Sequence, residues 1–143
     1  MKKLIALIAI VASPLAMACP ELTGTYRCYE QDGETNIFEM VTTVENGVYV
    51  YTTDGESIRA DGRRHNFQND ETKGSYTAKC AGSSELRVNM KGQLLENGKR
   101  VGNFKMKINV KKTATGITER NKGNVTYMGQ KFQIDENTSC DKI

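Results

Sequence analysis

The chain of 143 residues has no tryptophan and a single histidine, His65. A structural zinc site needs several imidazole or thiolate ligands at close spacing. The four cysteines include no such close pair: they are Cys19, Cys28, Cys80 and Cys140. We therefore expect no metal site. The sequence also lacks the glycine-rich phosphate loop and the calcium loop, so we expect no cofactor.

The scarcity of histidine also limits catalysis. General-base and triad chemistry needs an imidazole beside a positioned nucleophile, and the sequence contains no Gly-x-Ser-x-Gly elbow. His65 follows a turn at Asp61-Gly62, where a solvated side chain is the ordinary expectation. Acidic pairs occur at Asp70-Glu71 and Asp135-Glu136, and such pairs usually belong to solvated loops. We expect that the protein is not an enzyme.

Long apolar runs are absent except at the N-terminus. Two lysines precede an apolar run over residues 4–12. Ala16 and Ala18 then supply the small residues of a cleavage site just before Cys19. This order is typical of a secretory signal peptide, and the run is shorter than the roughly 20 residues that span a bilayer. We predict a signal peptide over residues 1–18, a single exported domain over residues 19–143 and no transmembrane segment.

Residues 15–19 resemble a bacterial lipobox in part. Ala16 stands where that motif usually has a branched apolar residue. We therefore favour ordinary cleavage, with lipidation of Cys19 as the alternative. The expected location is the bacterial periplasm or the extracellular space, and a lipid anchor in the cell envelope is the alternative.

The exported part of the chain is almost neutral. Without Lys2 and Lys3, the 20 Lys and Arg residues fall to 18 against 17 Asp and Glu, so the net charge falls from +3 to about +1. Proteins that bind nucleic acid usually carry a strong positive field. We therefore expect no nucleic-acid partner.

All four cysteines lie in the exported part of the chain. An even number of cysteines in an oxidising compartment predicts two disulfides, for which three pairings are possible. We favour Cys19 with Cys28, which closes a short N-terminal loop, and Cys80 with Cys140. Lipidation of Cys19 would instead leave one free thiol.

Two segments alternate apolar and polar residues. The apolar positions are Leu86, Val88 and Met90 in one segment, and Phe104, Met106, Ile108 and Val110 in the other. A period of two predicts strands with one buried and one solvated face. A less regular alternation covers residues 38–45, and residues 26–29 and 48–51 are rich in β-forming types. No segment after residue 18 has a convincing helical repeat.

Turn signals separate these segments. Asn46-Gly47 and Asn97-Gly98 favour type I′ hairpins, and Asp-Gly pairs such as Asp54-Gly55 mark further turns. Strands joined in this way form an antiparallel meander, and closure into a barrel removes its two open edges. We predict an all-β, up-and-down barrel of about eight strands. A two-sheet β-sandwich is the alternative.

This layout resembles a small lipocalin-like, calycin-type β-barrel. Lipocalins carry a Gly-x-Trp signature just before the first strand, and Gly24-Thr25-Tyr26 occupies that place with tyrosine for tryptophan. The favoured bridge between Cys80 and Cys140 also resembles the common lipocalin disulfide. The resemblance implies a barrel that holds a small apolar molecule.

The interior of such a barrel would be lined by the apolar faces of the strands. The candidate ligand-binding residues are Tyr26, Phe38, Met40, Tyr49, Tyr51, Leu86, Val88, Met90, Phe104, Met106 and Ile108. A barrel of about eight strands either holds one small ligand or is filled by its own side chains. The first case predicts an exported binding protein for a small apolar or amphipathic ligand. The second predicts a structural or interaction module that contacts an envelope protein through exposed residues such as Tyr29 and Tyr127.

Overall fold

A computed structural model describes residues 18–143, so the predicted signal peptide lies outside the described residues except for Ala18. The described part contains ten antiparallel β-strands and no helix, hence no helix able to cross a membrane. The strands are β1 (Gly24–Tyr29), β2 (Thr35–Glu45), β3 (Val48–Thr53), β4 (Glu56–Arg59), β5 (Arg64–Gln68), β6 (Thr72–Ala81), β7 (Glu85–Glu96), β8 (Lys99–Lys112), β9 (Gly116–Tyr127) and β10 (Gln130–Lys142).

The predicted hairpins are confirmed by their backbone conformation. Asn46 and Asn97 have φ angles of 50° and 51°, and the glycine after each also has a positive φ. Two consecutive residues with positive φ are the requirement of a type I′ turn, whose twist matches that of the strands. Met128-Gly129 has the same conformation between β9 and β10, although a methionine at that position gives no turn signal.

The strands form one sheet in the order β4-β3-β2-β1-β10-β9-β8-β7-β6-β5. Each strand pairs with its neighbour in the chain except at β4 and β5, and β1 pairs with β10. The pairing of the first and last strands curls the meander into a half-barrel. The all-β meander is therefore confirmed, but it has ten strands rather than about eight, and no ladder closes it between β4 and β5.

The two edge strands explain the difference in strand count and closure. β4 and β5 have four and five residues and carry charged side chains, which are the features that keep edge strands from pairing. Isolated hydrogen bonds link the two sides instead. The Arg59 amide donates to the Tyr76 hydroxyl over 3.0 Å, and the Asn69 side-chain amide donates to Glu56 over 3.0 Å.

The wall of the half-barrel differs in height around its circumference. Strands β7 to β10 have 12 to 14 residues, whereas β1 and β3 have six each. β1 pairs only with residues 139–142 of β10. The remaining length of β10 therefore has no partner on the β1 side, and the half-barrel is open there.

The opposite end of the half-barrel is plugged by residues 19–22. The Leu22 side chain has no solvent exposure. Two buried tyrosines hold the plug, because the Tyr26 hydroxyl donates to the Leu22 carbonyl and the Tyr51 hydroxyl donates to the Pro20 carbonyl, each over 2.8 Å. We call this end the plugged end and the other the open end.

One disulfide joins the plug to β6 and the other joins β1 to β10, and the favoured pairing was wrong. Cys19 is bonded to Cys80, and Cys28 is bonded to Cys140. Cys28 and Cys140 lie directly opposite each other in the β1–β10 pair, with 3.9 Å between their Cα atoms. This long-range pairing brings residues 112 positions apart together, and loop length alone does not predict it. The Cys19 bridge also uses the sulfur that lipidation would require.

Candidate ligand cavity

Between the plugged end and the open end, the inner face of the half-barrel lines an open cavity of about 840 Å³. Small-molecule sites are typically concave, mostly apolar and on the order of 300–1,000 Å³ in volume. The cavity is therefore large enough for a small organic ligand. Its apolar lining residues are Met40, Tyr51, Ile58, Phe67, Tyr76, Leu86, Val88, Met90, Leu94, Phe104, Met106, Ile108, Val110, Val125 and Ile134.

The long strands β7 and β8 build the main wall of the cavity. Their register places Val88 opposite Ile108 and Met90 opposite Met106, and all four side chains line the cavity. Met90 and Met106 are only half-buried. Methionine is unbranched and polarisable, so it adapts to ligands of different shape. This wall can therefore accommodate an apolar group.

A row of aromatic and glycine residues crosses the wall towards the open end. Phe67 lies opposite Gly74, Gly74 opposite Gly92, and Gly92 opposite Phe104. The two phenylalanine rings approach over the glycines, with 6.3 Å between ring centroids. A Cβ atom on Gly74 would clash with the Lys91 carbonyl oxygen. Glycine at these two positions therefore permits a close approach of the β6 and β7 backbones.

A second, polar cavity of about 510 Å³ adjoins the first at the open end, beside the short strands β1 to β3. We call it the mouth. Five residues line both cavities and mark the boundary between the apolar and the polar part: Met40, Thr53, Glu119, Asn121 and Glu136. The remaining polar residues of the mouth are Glu30, Gln31, Asp32, Asn36, Asp54, Asn137 and Thr138.

Asn121 and Glu119 form a polar pair at this boundary. Both lie on the inner face of β9, where Asn121 is opposite Ile108 and Glu119 is opposite Val110. The Asn121 side-chain amide donates to a Glu119 carboxylate oxygen over 2.7 Å. The Asn121 Oδ1 atom is buried and has no hydrogen-bond partner. A buried acceptor without a partner is destabilising by about 1–3 kcal/mol.

The predicted ligand-binding residues separate into three groups. Eight line the large cavity: Met40, Tyr51, Leu86, Val88, Met90, Phe104, Met106 and Ile108. Phe38 lines the mouth. Tyr26 and Tyr49 line neither cavity. Tyr26 is buried at the plugged end, where its ring stacks on Phe38, and Tyr49 packs against the same core. Gly24 and Tyr26 lie within β1 rather than before it.

Sequence reasoning missed the polar residues of the boundary. In β9, Thr118 and Arg120 on the outer face alternate with Glu119 and Asn121 on the inner face, so the strand is polar on both faces and shows no alternation. Glu136 was noted only as part of an acidic pair. The missing signal is the register of β9 with β8, which a single sequence does not contain.

His65 lies outside both cavities, against a neighbouring loop. Its Nε2 atom is 2.9 Å from both carboxylate oxygens of Asp61, and its ring stacks on Tyr76. Burial alone would raise the pKa of Asp61, but hydrogen bonds from His65 and the Arg63 amide lower it below its usual value. The hydrogen-bonded pair of Asp61 and His65 therefore stabilises the connection between β4 and β5. Within residues 18–143, no three His, Cys, Asp or Glu side chains cluster as metal ligands.

Comparison with known proteins gives no relative for this chain. No protein-family model matches it, and neither the curated proteins nor the solved structures include a match. The lipocalin-like resemblance therefore rests on the sequence features alone and stays a prediction.

Proposed function

We propose that this chain is an exported binding protein that carries or sequesters one small apolar or amphipathic molecule inside the half-barrel. The observation that carries the proposal is the cavity of about 840 Å³ with its largely apolar wall. Small-molecule sites are typically concave, mostly apolar clefts of this volume. The inner face of the half-barrel has this form.

The exported location is part of the proposal. Two disulfides are typical of proteins that fold in an oxidising compartment. Together with the predicted signal peptide, they favour the bacterial periplasm or the extracellular space.

The alternative is a structural or interaction module that contacts an envelope protein. Tyr29 and Tyr127 support it, because their side chains are 46% and 42% exposed and tyrosine is enriched at interfaces. That hypothesis was built on a filled core, and the half-buried side chains around the cavity argue against it. We therefore favour ligand binding.

The test compares two tryptophan substitutions on neighbouring residues of β8. Met106 lines the cavity, whereas Lys107 is exposed on the outer face. Met106→Trp places a bulkier and more rigid indole ring in the cavity, and we expect it to weaken binding of the neutral fluorescent dye Nile red by about tenfold or more. Lys107→Trp is the matched control and should leave dye affinity unchanged.

Fluorescence titration measures both affinities, and thermal denaturation confirms that each variant is folded. Equal dye affinity in the two folded variants would overturn the proposal. Native mass spectrometry of the protein purified from its host then identifies the natural ligand as a discrete additional mass that is lost on activation.

A further inference from the structure

The polar end of the cavity carries charge of one sign. The charged side chains that line the mouth and the adjoining large cavity are all carboxylates: Glu30, Asp32, Asp54, Glu56, Glu119 and Glu136. No lysine, arginine or histidine of residues 18–143 lines either cavity. Composition does not explain this, because Lys and Arg outnumber Asp and Glu in the chain by 20 to 17.

The cations lie instead on the outside of the same wall. On the outer face of β7 to β9, Lys91 lies opposite Lys105, and Lys107 lies opposite Lys122. Like charges directly opposite each other across strands are destabilising. Although the net charge of the domain is almost neutral, its charges are separated in space. Positive side chains lie on the outside of the wall, and negative side chains lie at the mouth.

The carboxylates of the mouth are not neutralised by neighbouring cations. The ion pairs of the described residues are Arg59–Glu45, His65–Asp61, Arg87–Glu85 and Arg120–Asp135. None of these pairs includes a residue that lines the mouth. A cleft lined by charge of one sign focuses the field and concentrates ligands of the opposite charge.

Glu119, Asn121 and Glu136 occupy the position that decides ligand chemistry. They line both the apolar cavity and the mouth, so they would surround the polar end of a molecule whose apolar part fills the cavity. When the two glutamates are ionised, the side-chain oxygens of these three residues accept hydrogen bonds from a ligand and donate none. The buried Asn121 Oδ1 atom, which lacks a partner, is a further acceptor at the same place.

We propose that the cavity selects amphiphiles whose polar end is a cation, such as an alkylammonium group, rather than a carboxylate. This inference rests on the proposed binding function. A fatty-acid carboxylate at the boundary would meet carboxylates and an acceptor oxygen, with no cation to balance it. An ammonium group would replace the missing positive charge and donate to those oxygens.

The experiment uses three ligands with the same dodecyl tail and different polar ends: dodecylammonium, dodecanol and dodecanoate. Isothermal titration calorimetry measures each affinity for the disulfide-bonded protein at neutral pH and low salt, below the micelle concentration. We expect the cation to bind about tenfold or more tightly than the carboxylate, with the alcohol between them. Added salt should reduce this difference because it screens the charges of the partly open mouth.

Two charge-removing variants locate the effect. Glu119→Gln and Glu136→Gln should each lower the affinity for the cation several-fold and leave dodecanol binding unchanged. Asp135→Asn is the matched control, because Asp135 neighbours Glu136 but pairs with Arg120 on the outer face. It should not alter the preference for the cation.

The outcomes separate the inference from the proposed function. If dodecanoate binds as tightly as the cation, or if both glutamine variants keep the full preference, the cation inference is overturned and the binding function stands. If the folded protein binds none of the three ligands, the binding function is overturned and the inference falls with it.

Discussion

The two ends of the half-barrel are built on the same strands and differ in what covers the inner face. At the plugged end, residues 19–22 fill the space between the strands, and Leu22 has no solvent exposure. Towards the open end, no segment of the described chain covers the inner face, and Leu94 is only half-buried. Alternation of apolar residues therefore determines which side chains lie on the inner face of the sheet. Whether those side chains are buried depends on whether another segment of the chain packs over them.

The contrast also separates stabilising features from the proposed binding site. The Cys19–Cys80 disulfide and the two buried tyrosine hydrogen bonds are at the plugged end. The unfilled volume and the unpartnered Asn121 oxygen are beyond it. We infer that the plugged end stabilises the fold and thereby supports an open end that is not optimised for packing. Three predictions test this division, from the largest expected effect to the smallest.

Removal of the plug disulfide should have the largest effect. The Cys19–Cys80 bridge joins residues 61 positions apart, and in the chain-entropy model a loop of this length stabilises the fold by about 4 kcal/mol. We expect the double variant Cys19→Ala, Cys80→Ala to lose about that much free energy of unfolding in urea. A loss below about 1 kcal/mol would mean that packing alone holds the plug.

Truncation of matched leucines at the two ends should give unequal losses. Leu22→Ala removes a fully buried side chain, for which about 3 kcal/mol is expected from transfer and cavity terms. Leu94→Ala removes a half-buried side chain that already borders empty volume, so about 1 kcal/mol is expected. Urea denaturation of both variants measures the difference. Equal losses would contradict the division between the ends.

Much of the fold was predictable because its signals are local. The alternation around Val88 and Ile108 identified β7 and β8. Asn97-Gly98 identified the hairpin between them, and Asn46-Gly47 identified the hairpin between β2 and β3. The short edge strands were missed because β4 and β5 contain few apolar residues and several charges. The disulfide pairing was mispredicted because Cys28 meets Cys140 only through the β1–β10 register, which joins the two ends of the sheet.

The candidate site was predictable to the same extent. Residues with strong alternation, such as Met90 and Met106, line the cavity as expected. The polar boundary was not predicted, since Glu119 and Asn121 lie in a stretch of β9, residues 118–122, that is polar on both faces. Sequence patterns assume that polar residues face the outside of a sheet, and they fail where polar groups lie on its inner face.

The smallest effect should come from Asn121, and its sign is the informative part. Replacement by leucine removes the buried acceptor without a partner, which is worth about 1–3 kcal/mol. It also removes the hydrogen bond to Glu119, whose carboxylate can be rehydrated from the mouth. We expect Asn121→Leu to raise the free energy of unfolding by about 1 kcal/mol and to weaken binding of dodecylammonium. Asn124→Leu on the exposed face of β9 is the control and should change neither quantity. A loss of stability in Asn121→Leu would contradict the view that the open end keeps a destabilising polar group for its ligand. A gain of stability together with a loss of binding would show that stability and binding are opposed at this residue.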